Sequence, residues 1–295
     1  MISFTRLKIA EQKGEALLKQ EGITTLPVDP FAIAASHDIL VEAKPDAADG
    51  VSGMLLRHGD TFGILYGTYI PNDGFQRYSI SHELGHYFLD GHVDHLLPGD
   101  GIHSSHAEFI SGDPYELEAD NFAAGLLMPA TLYKRLITRR DPSLDAVESL
   151  ASDCRTSLTA TAIRFAELTD DAVAVIISTR NVIDFCILSE AMKSLPLLSW
   201  LKKGSAVPMG TATARLSASA ERVLRGDRAI DEIDVMDWLG GTRSAVVTEE
   251  VVGLGPYGKT LTILSSSCIG HKEDGLDDDD NDAEIVERWT PRFRR

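Results

Sequence analysis

Residues 80–91 read ISHELGHYFLDG, two histidines four residues apart with a glutamate directly after the first. In a helix, at about 100° per residue, His82 and His86 stand one turn apart on one face. Two imidazoles so placed can bind a single Zn2+ at about 2.0–2.1 Å each. Glu83, about 100° round the helix from His82, can reach a water without taking the metal itself. Hydrolysis needs that division of labour: the ion lowers the pKa of the water, and the carboxylate removes its proton and later protonates the leaving amine. A bare H-E-x-x-H also arises by chance, but here Ile80, Leu84, Tyr87, Phe88 and Leu89 make the other faces apolar. That places the stretch in a core helix, the context this chemistry requires. Gly85 lowers helix propensity by about 1 kcal/mol relative to alanine and predicts the close approach of another element.

Two candidates compete for the third ligand. His92, ten residues after His82, completes HELGHYFLDGH, which approximates the H-E-x-x-H-x-x-G-x-x-H spacing. That spacing needs a glycine at position 89, where this chain has Leu89, and its glycine comes two residues late at Gly91. Glu116, in YELEADNFAAGLLMP (115–129), is the stronger candidate. A carboxylate from a second helix completes a His2Glu site and leaves the fourth position for water. Asp120 lies four residues on, on the same face, and can accept a hydrogen bond from the other nitrogen of a ligand histidine. Glu118, about 200° round from Glu116, cannot share its direction. Tyr115, His103 and His106 are open candidates for stabilising an oxyanion.

Outward from these segments, Leu7, Ala10, Gly14, Leu17 and Leu18 have helical spacing, and Asp29-Pro30 opens a second helix over FAIAASHD. VSGMLLR (51–57) and TFGILYG (61–67) predict a hairpin turning at His58-Gly59-Asp60. The histidine helix is expected to begin near Ser79 and end at Gly91, followed by a polar loop over 91–114. Helices are expected over 115–127 and 131–140, with a domain boundary at Asp141-Pro142. Residues 143–168 predict two short helices joined tightly around Arg155 to Ser157. Beyond them, AVAVIIS and VIDFCILS predict a hairpin at Arg180-Asn181, GTATARLSASAERVLRG a helix, and SAVVTEEVVGL and KTLTILSS two strands. The expected organisation is α+β: a domain over 1–142, a helical segment over 143–169, an α/β domain over 170–270 and an acidic tail over 271–295.

The 295 residues are 43% hydrophobic and 25% charged, an ordinary globular balance with enough apolar mass for a sizeable core. Net charge is −17, partly concentrated in KEDGLDDDDNDAEIVE (272–287), so the surface should repel nucleic acid and anionic membrane. The second of the paired helices, SLTATAIRFAEL, offers Arg164 as its base-reading cation with Glu167 close by. Duplex binding normally needs several cationic phosphate contacts, which argues against specific DNA binding here. Cys154, Cys186 and Cys268 are scattered and odd in number, an argument against a disulfide framework. No apolar run approaches the roughly 18–20 residues of a membrane span, and the N-terminus lacks a signal peptide's apolar stretch. A cytoplasmic protein with no membrane partner is expected.

RYSISHELGHYFL (77–89) followed by ELEADNFAAGLLMP (116–129) resembles the ImmA/IrrE family of bacterial metallopeptidases. LLKQEGITTLPVDPFAIAASHDILVE, SLDAVESLASDCRTSLTATAIRFAEL and the C-terminal TPRFRR are similar to the same family. The resemblance covers residues 1 to about 170 well and the rest in outline. It implies a zincin-like N-terminal domain in which His82, His86 and Glu116 hold one Zn2+ per chain and Glu83 is the base. In longer members a helix-turn-helix-like segment and a GAF-like domain follow, a layout that 143–270 fits. It implies a helix-turn-helix repressor as the substrate, cleaved to release stress-response, mobile-element or defence genes. A small-molecule or nucleic-acid signal would act at the C-terminal domain. Asp120 stands where many relatives carry asparagine. An extended substrate segment is expected to add to an exposed edge of the hairpin over 51–67. The competing readings are a non-catalytic zinc-containing ligand sensor and a DNA-binding regulator.

Overall fold

In the computed structural model, which describes residues 4–45, 50–106, 113–196, 199, 201–242 and 244–266, the chain opens with α1 (Phe4–Gln20). Ala10, Gly14, Leu17 and Leu18 form its buried stripe, as their spacing predicts. The side chain of Asp29 accepts from Phe31 N and caps α2 (Pro30–Ser36), with proline in the first turn where no amide donor is needed. A short strand β1 (Leu40–Lys44) precedes the predicted hairpin, β2 (Val51–His58) and β3 (Thr61–Gly67). Next come α3 (Asp73–Phe88), α4 (His92–Leu96), β4 (Gly101–His106), α5 (Pro114–Leu127) and α6 (Ala130–Ile137).

Several expectations are corrected here. The histidine helix α3 starts six residues before Ser79, because Asn72 accepts from Phe75 N and supplies the cap; the polar run DGFQRY hid this first turn. It ends at Phe88, where Leu89 turns extended, and Gly91 (φ 81°) serves instead as the left-handed N-cap of α4. The segment 91–114 is therefore not a loop: it holds α4 and β4. The sheet order is β1-β3-β2-β4, with β1 parallel to β3 and the other pairs antiparallel. Both hairpin strands are thus flanked, β3 by β1 and β2 by β4, so the hairpin offers no free edge. Among the described residues the edge strands are β1, beside β3, and β4, beside β2.

The core lies between this sheet and α3. Ile80 and Leu84 of α3 are fully buried with Leu55 of β2, Ile64 of β3, and Phe122 and Leu126 of α5. Glycine sets the helix spacings. A Cβ on Gly85 would lie 3.1 Å from Ala119 Cα, so α3 and α5 touch almost backbone to backbone, as Gly85 foretold. On the other side of α5, a Cβ on Gly14 would come within 2.5 Å of the Phe122 carbonyl oxygen, and one on Gly125 would overlap that of Glu11. α5 is therefore held closely by both α1 and α3.

Among the described residues, this first unit runs to Tyr133 and takes in Ser152–Ser157; the second begins at Lys134 and resumes at Leu158. The paired helices α7 (Leu144–Cys154) and α8 (Leu158–Leu168) meet at the predicted turn, with Arg155 at φ 54°. The second unit then forms a five-stranded sheet in the order β6-β5-β9-β8-β7. Its strands are β5 (Ala172–Thr179), β6 (Val182–Leu188), β7 (Arg228–Asp234), β8 (Val246–Gly253) and β9 (Lys259–Ser266). Helices α9 (Glu190–Lys193), α10 (Ala212–Ser217), α11 (Ala220–Arg225) and α12 (Val235–Leu239) accompany it. All its pairings are antiparallel, so this unit is α+β rather than α/β. The single helix expected over 210–226 is two, because Ser219 caps a new start at α11. Cys154 and Cys186 are buried thiols that form no disulfide among the described residues; Cys268 and the acidic tail lie outside them. Among the described residues no helix is long and apolar enough to cross a membrane.

Candidate metal centre

The close crossing of α3 and α5 brings His82, His86 and Glu116 together, with one potential ligand atom from each within 4.8 Å of the others. His82 Nε2 lies 3.1 Å from His86 Nε2 and 3.2 Å from Glu116 Oε2, and His86 Nε2 lies 3.4 Å from Glu116 Oε1. Ligand atoms at about 2.0–2.1 Å from one tetrahedral ion are about 3.3 Å apart, so the two ring nitrogens and the carboxylate are spaced as a shared metal requires. His103, on β4, reaches the same carboxylate, its Nε2 2.9 Å from Glu116 Oε1.

The far side of each histidine is also engaged. His82 Nδ1 is 2.9 Å from Asp120 Oδ1, which also accepts from the Tyr78 hydroxyl at 2.7 Å. His86 Nδ1 is 3.0 Å from His92 Nδ1, and His92 Nε2 is 3.1 Å from Glu118 Oε2. Glu118 in turn pairs with Arg6 of α1 at 2.6 Å. The three acids of α5 thus serve different partners: Glu116 the cluster, Asp120 the back of His82, and Glu118 the back of His92.

Charge is distributed accordingly. Burial works against a proton on His82, but the hydrogen bonds it donates to Asp120 and Glu116 outweigh it and lift the pKa to about 10. Burial lowers His86 to about 3. Burial pushes Glu116 upward, yet hydrogen bonds from His103, His82 and His86 together hold it well below the usual carboxylate range. Burial raises the phenol of Tyr78, and Asp120 beside it adds to the rise.

Glu83 is fully buried, and among the described residues neither of its carboxylate oxygens has a partner at hydrogen-bond geometry. A buried carboxylate without partners is costly, so this group calls for a polar occupant beside it. Burial moves its pKa up, with nearby His82, the Ser105 hydroxyl and His103 pulling the other way. The space it occupies exists because position 53 of β2 is glycine: a Cβ there would sit 2.5 Å from Glu83 Oε1. Orphaned oxygens next to two imidazoles and a carboxylate fit a metal ion carrying water.

Of the other sequence candidates, His92 is buried behind His86 rather than in the cluster. Tyr115 stacks on His95 (centroids 4.2 Å apart) and meets His92 edge-on, and His106 is exposed at the end of β4. Arg6, Gly53, Tyr78 and Glu118 were not identified as part of the site from sequence. Gly53, inside a β-type run, was the one visible signal, since glycine in a strand often marks a close approach.

Residues 34–166 match the family model described as the IrrE N-terminal-like domain, peptidase M78. This stretch is similar to that peptidase domain. The match spans α3, β4 and α5, and so includes His82, Glu83, His86 and Glu116, while Arg6 precedes it. Among solved structures, a Mycobacterium tuberculosis transcriptional regulator superposes on 87% of this chain and 76% of its own, with TM-score 0.54 and 14% identity. At that identity the likeness is one of fold. No curated protein matches the chain by sequence.

Proposed function

We propose that the chain is a zinc-dependent endopeptidase in which His82, His86 and Glu116 hold one Zn2+ and Glu83 is the general base. The observation that carries this reading is the buried, unpartnered carboxylate of Glu83 beside the His82–His86–Glu116 cluster. Zinc, when bound, would acidify a water and polarise the scissile carbonyl. Glu83 takes the proton from the attacking water and returns it to the leaving amine. Asp120 orients His82, and His103 is the residue best disposed to donate to the oxyanion, since β4 carries it to Glu116. β4 has β2 as its one neighbour among the described residues, so an extended substrate segment would add to its open edge.

A helix-turn-helix repressor as substrate, and the release of stress-response, mobile-element or defence genes on its cleavage, rest on the family likeness. A cytoplasmic location follows from a repressor target. The second unit is assigned a GAF-like sensing or docking role on the same ground. A DNA-reading role for α8 loses support because Arg164 is only 4% exposed and pairs with Glu167 at 3.3 Å.

Metal content of the purified chain beside Glu116→Ala, His86→Ala and His92→Ala tests the ligand set. One zinc per chain is expected, lost in the first two variants and retained at saturating zinc in the third. Loss of zinc with His92 in place of Glu116 would overturn it. Glu83→Gln should keep metal and fold while abolishing cleavage of a helix-turn-helix repressor substrate. Undiminished cleavage would remove Glu83 from the mechanism.

A further inference from the structure

We propose that Arg6, Glu118 and His92 form a directional chain, an ion pair leading into hydrogen bonds, that fixes His86 as an Nε2 ligand, with His92 held as its neutral Nε2–H tautomer. This rests on the zinc reading above. His86 turns Nε2 toward His82 and Glu116, and its Nδ1 lies 3.0 Å from His92 Nδ1. A nitrogen that gives its lone pair to a metal carries no proton, so the proton of neutral His86 is on Nδ1 and points at His92. Two N–H groups cannot face each other at this distance, so His92 Nδ1 accepts. The remaining proton of His92 is then on Nε2, where Glu118 Oε2 receives it at 3.1 Å. The other oxygen of Glu118 meets Arg6 at 2.6 Å. Each link admits one direction once His86 is a ligand, and the chain runs from a fully buried imidazole out to an arginine that is half exposed.

Three local features assemble it. The left-handed cap at Gly91 turns the backbone so that His92 returns beneath α3. The contacts at Gly14 and Gly125 bring α1 against α5, which puts Arg6 within reach of Glu118. Glu118 lies about 200° round α5 from Glu116, so one helix feeds the cluster on one side and His92 on the other. A carboxylate acting through an imidazole on the far nitrogen of a ligand histidine fixes the ring and raises its basicity. His92, Glu118 and Arg6 are therefore positioning residues, and both nitrogens of His92 are occupied away from the metal.

The test uses the full chain loaded with zinc. Long-range nitrogen–proton spectra of histidine-labelled protein should show His92 protonated on Nε2 and His86 on Nδ1. Chelator competition should show His92→Leu binding zinc about 10–100-fold more weakly. His92→Asn, whose amide oxygen can stand where Nδ1 accepts, should recover most of that loss. Arg6→Ala, at an exposed position, should weaken binding by up to about fivefold. If His92→Leu fails to fold, the wild-type tautomers and Arg6→Ala still decide. Zinc lost in Glu116→Ala but unchanged in His92→Leu and Arg6→Ala, with His92 protonated on Nδ1, overturns the chain and leaves the zinc reading standing. Wild type that takes up no zinc, or binds it indifferently to Glu116→Ala, overturns the zinc reading itself.

Discussion

The residue that constrains Glu83 most is one with no side chain. Gly53 gives its Cβ volume to Glu83 Oε1, so Gly53→Ala must displace the carboxylate. Displacement of about 1 Å costs on the order of 100-fold in turnover, and the zinc content should stay at wild-type level. Activity and metal assayed on the same preparation check this; unchanged turnover would mean Glu83 is not positioned by β2. His82 sets a second prediction. In the metal-free chain its pKa is raised to about 10, so around neutral pH a proton occupies the nitrogen zinc needs. Zinc uptake releases that proton, and apparent affinity should rise about tenfold per pH unit between pH 6 and 8. The same shift makes the sign of stability clear. A folded pKa above the unfolded 6.5 stabilises the metal-free protein below pH 6.5, and that contribution is lost as pH rises toward 10. Thermal midpoints of metal-free protein should carry this fall, and zinc-loaded protein should not. His82, Glu83, His86, Glu116 and Asp120 were legible because each lies at helical spacing from a partner. Arg6, Glu118 and Gly53 were not, since their partners are distant in sequence and only packing joins them.

At the scale of elements, α5 is the working part, clamped between two helices through glycine contacts. Gly125→Ala would drive a Cβ into the Glu11 carbonyl, an obstruction by backbone that no rotamer change relieves. A loss of about 1–3 kcal/mol is expected. It should appear as faster hydrogen exchange in α1, with weakening of the Arg6–Glu118 pair. Gly85→Ala meets Ala119 at 3.1 Å, a milder contact offset by better helix propensity, so its effect should be smaller. The later half of α3 and all of α5 could be read from apolar periodicity. β4 could not: GIHSSH has one β-branched residue, and its strand state comes from pairing with β2. In the second unit the apolar runs of β5, β8 and β9 were plain, whereas RAIDEID of β7 reads as solvated chain until β8 is beside it.

For the molecule as a whole, a net charge of −17 and a buried Arg164 set the expectation for nucleic acid. Fluorescence anisotropy with duplex DNA at about 50 mM salt should show binding no tighter than the non-specific range, and Arg164→Ala should not change it. Salt-sensitive tight binding abolished by that substitution would restore the regulator reading. β4 has a further consequence for any target. Its six residues offer an open ladder about 20 Å long. A chain can use that ladder only after surrendering its own helices over the same length. On the proposed reading, a compact helical target would be cut only in the fraction of time it spends locally open, and cleavage speed would report the target's opening equilibrium as much as the chemistry at the metal centre. Discrimination among targets of similar sequence then falls to their relative fragility.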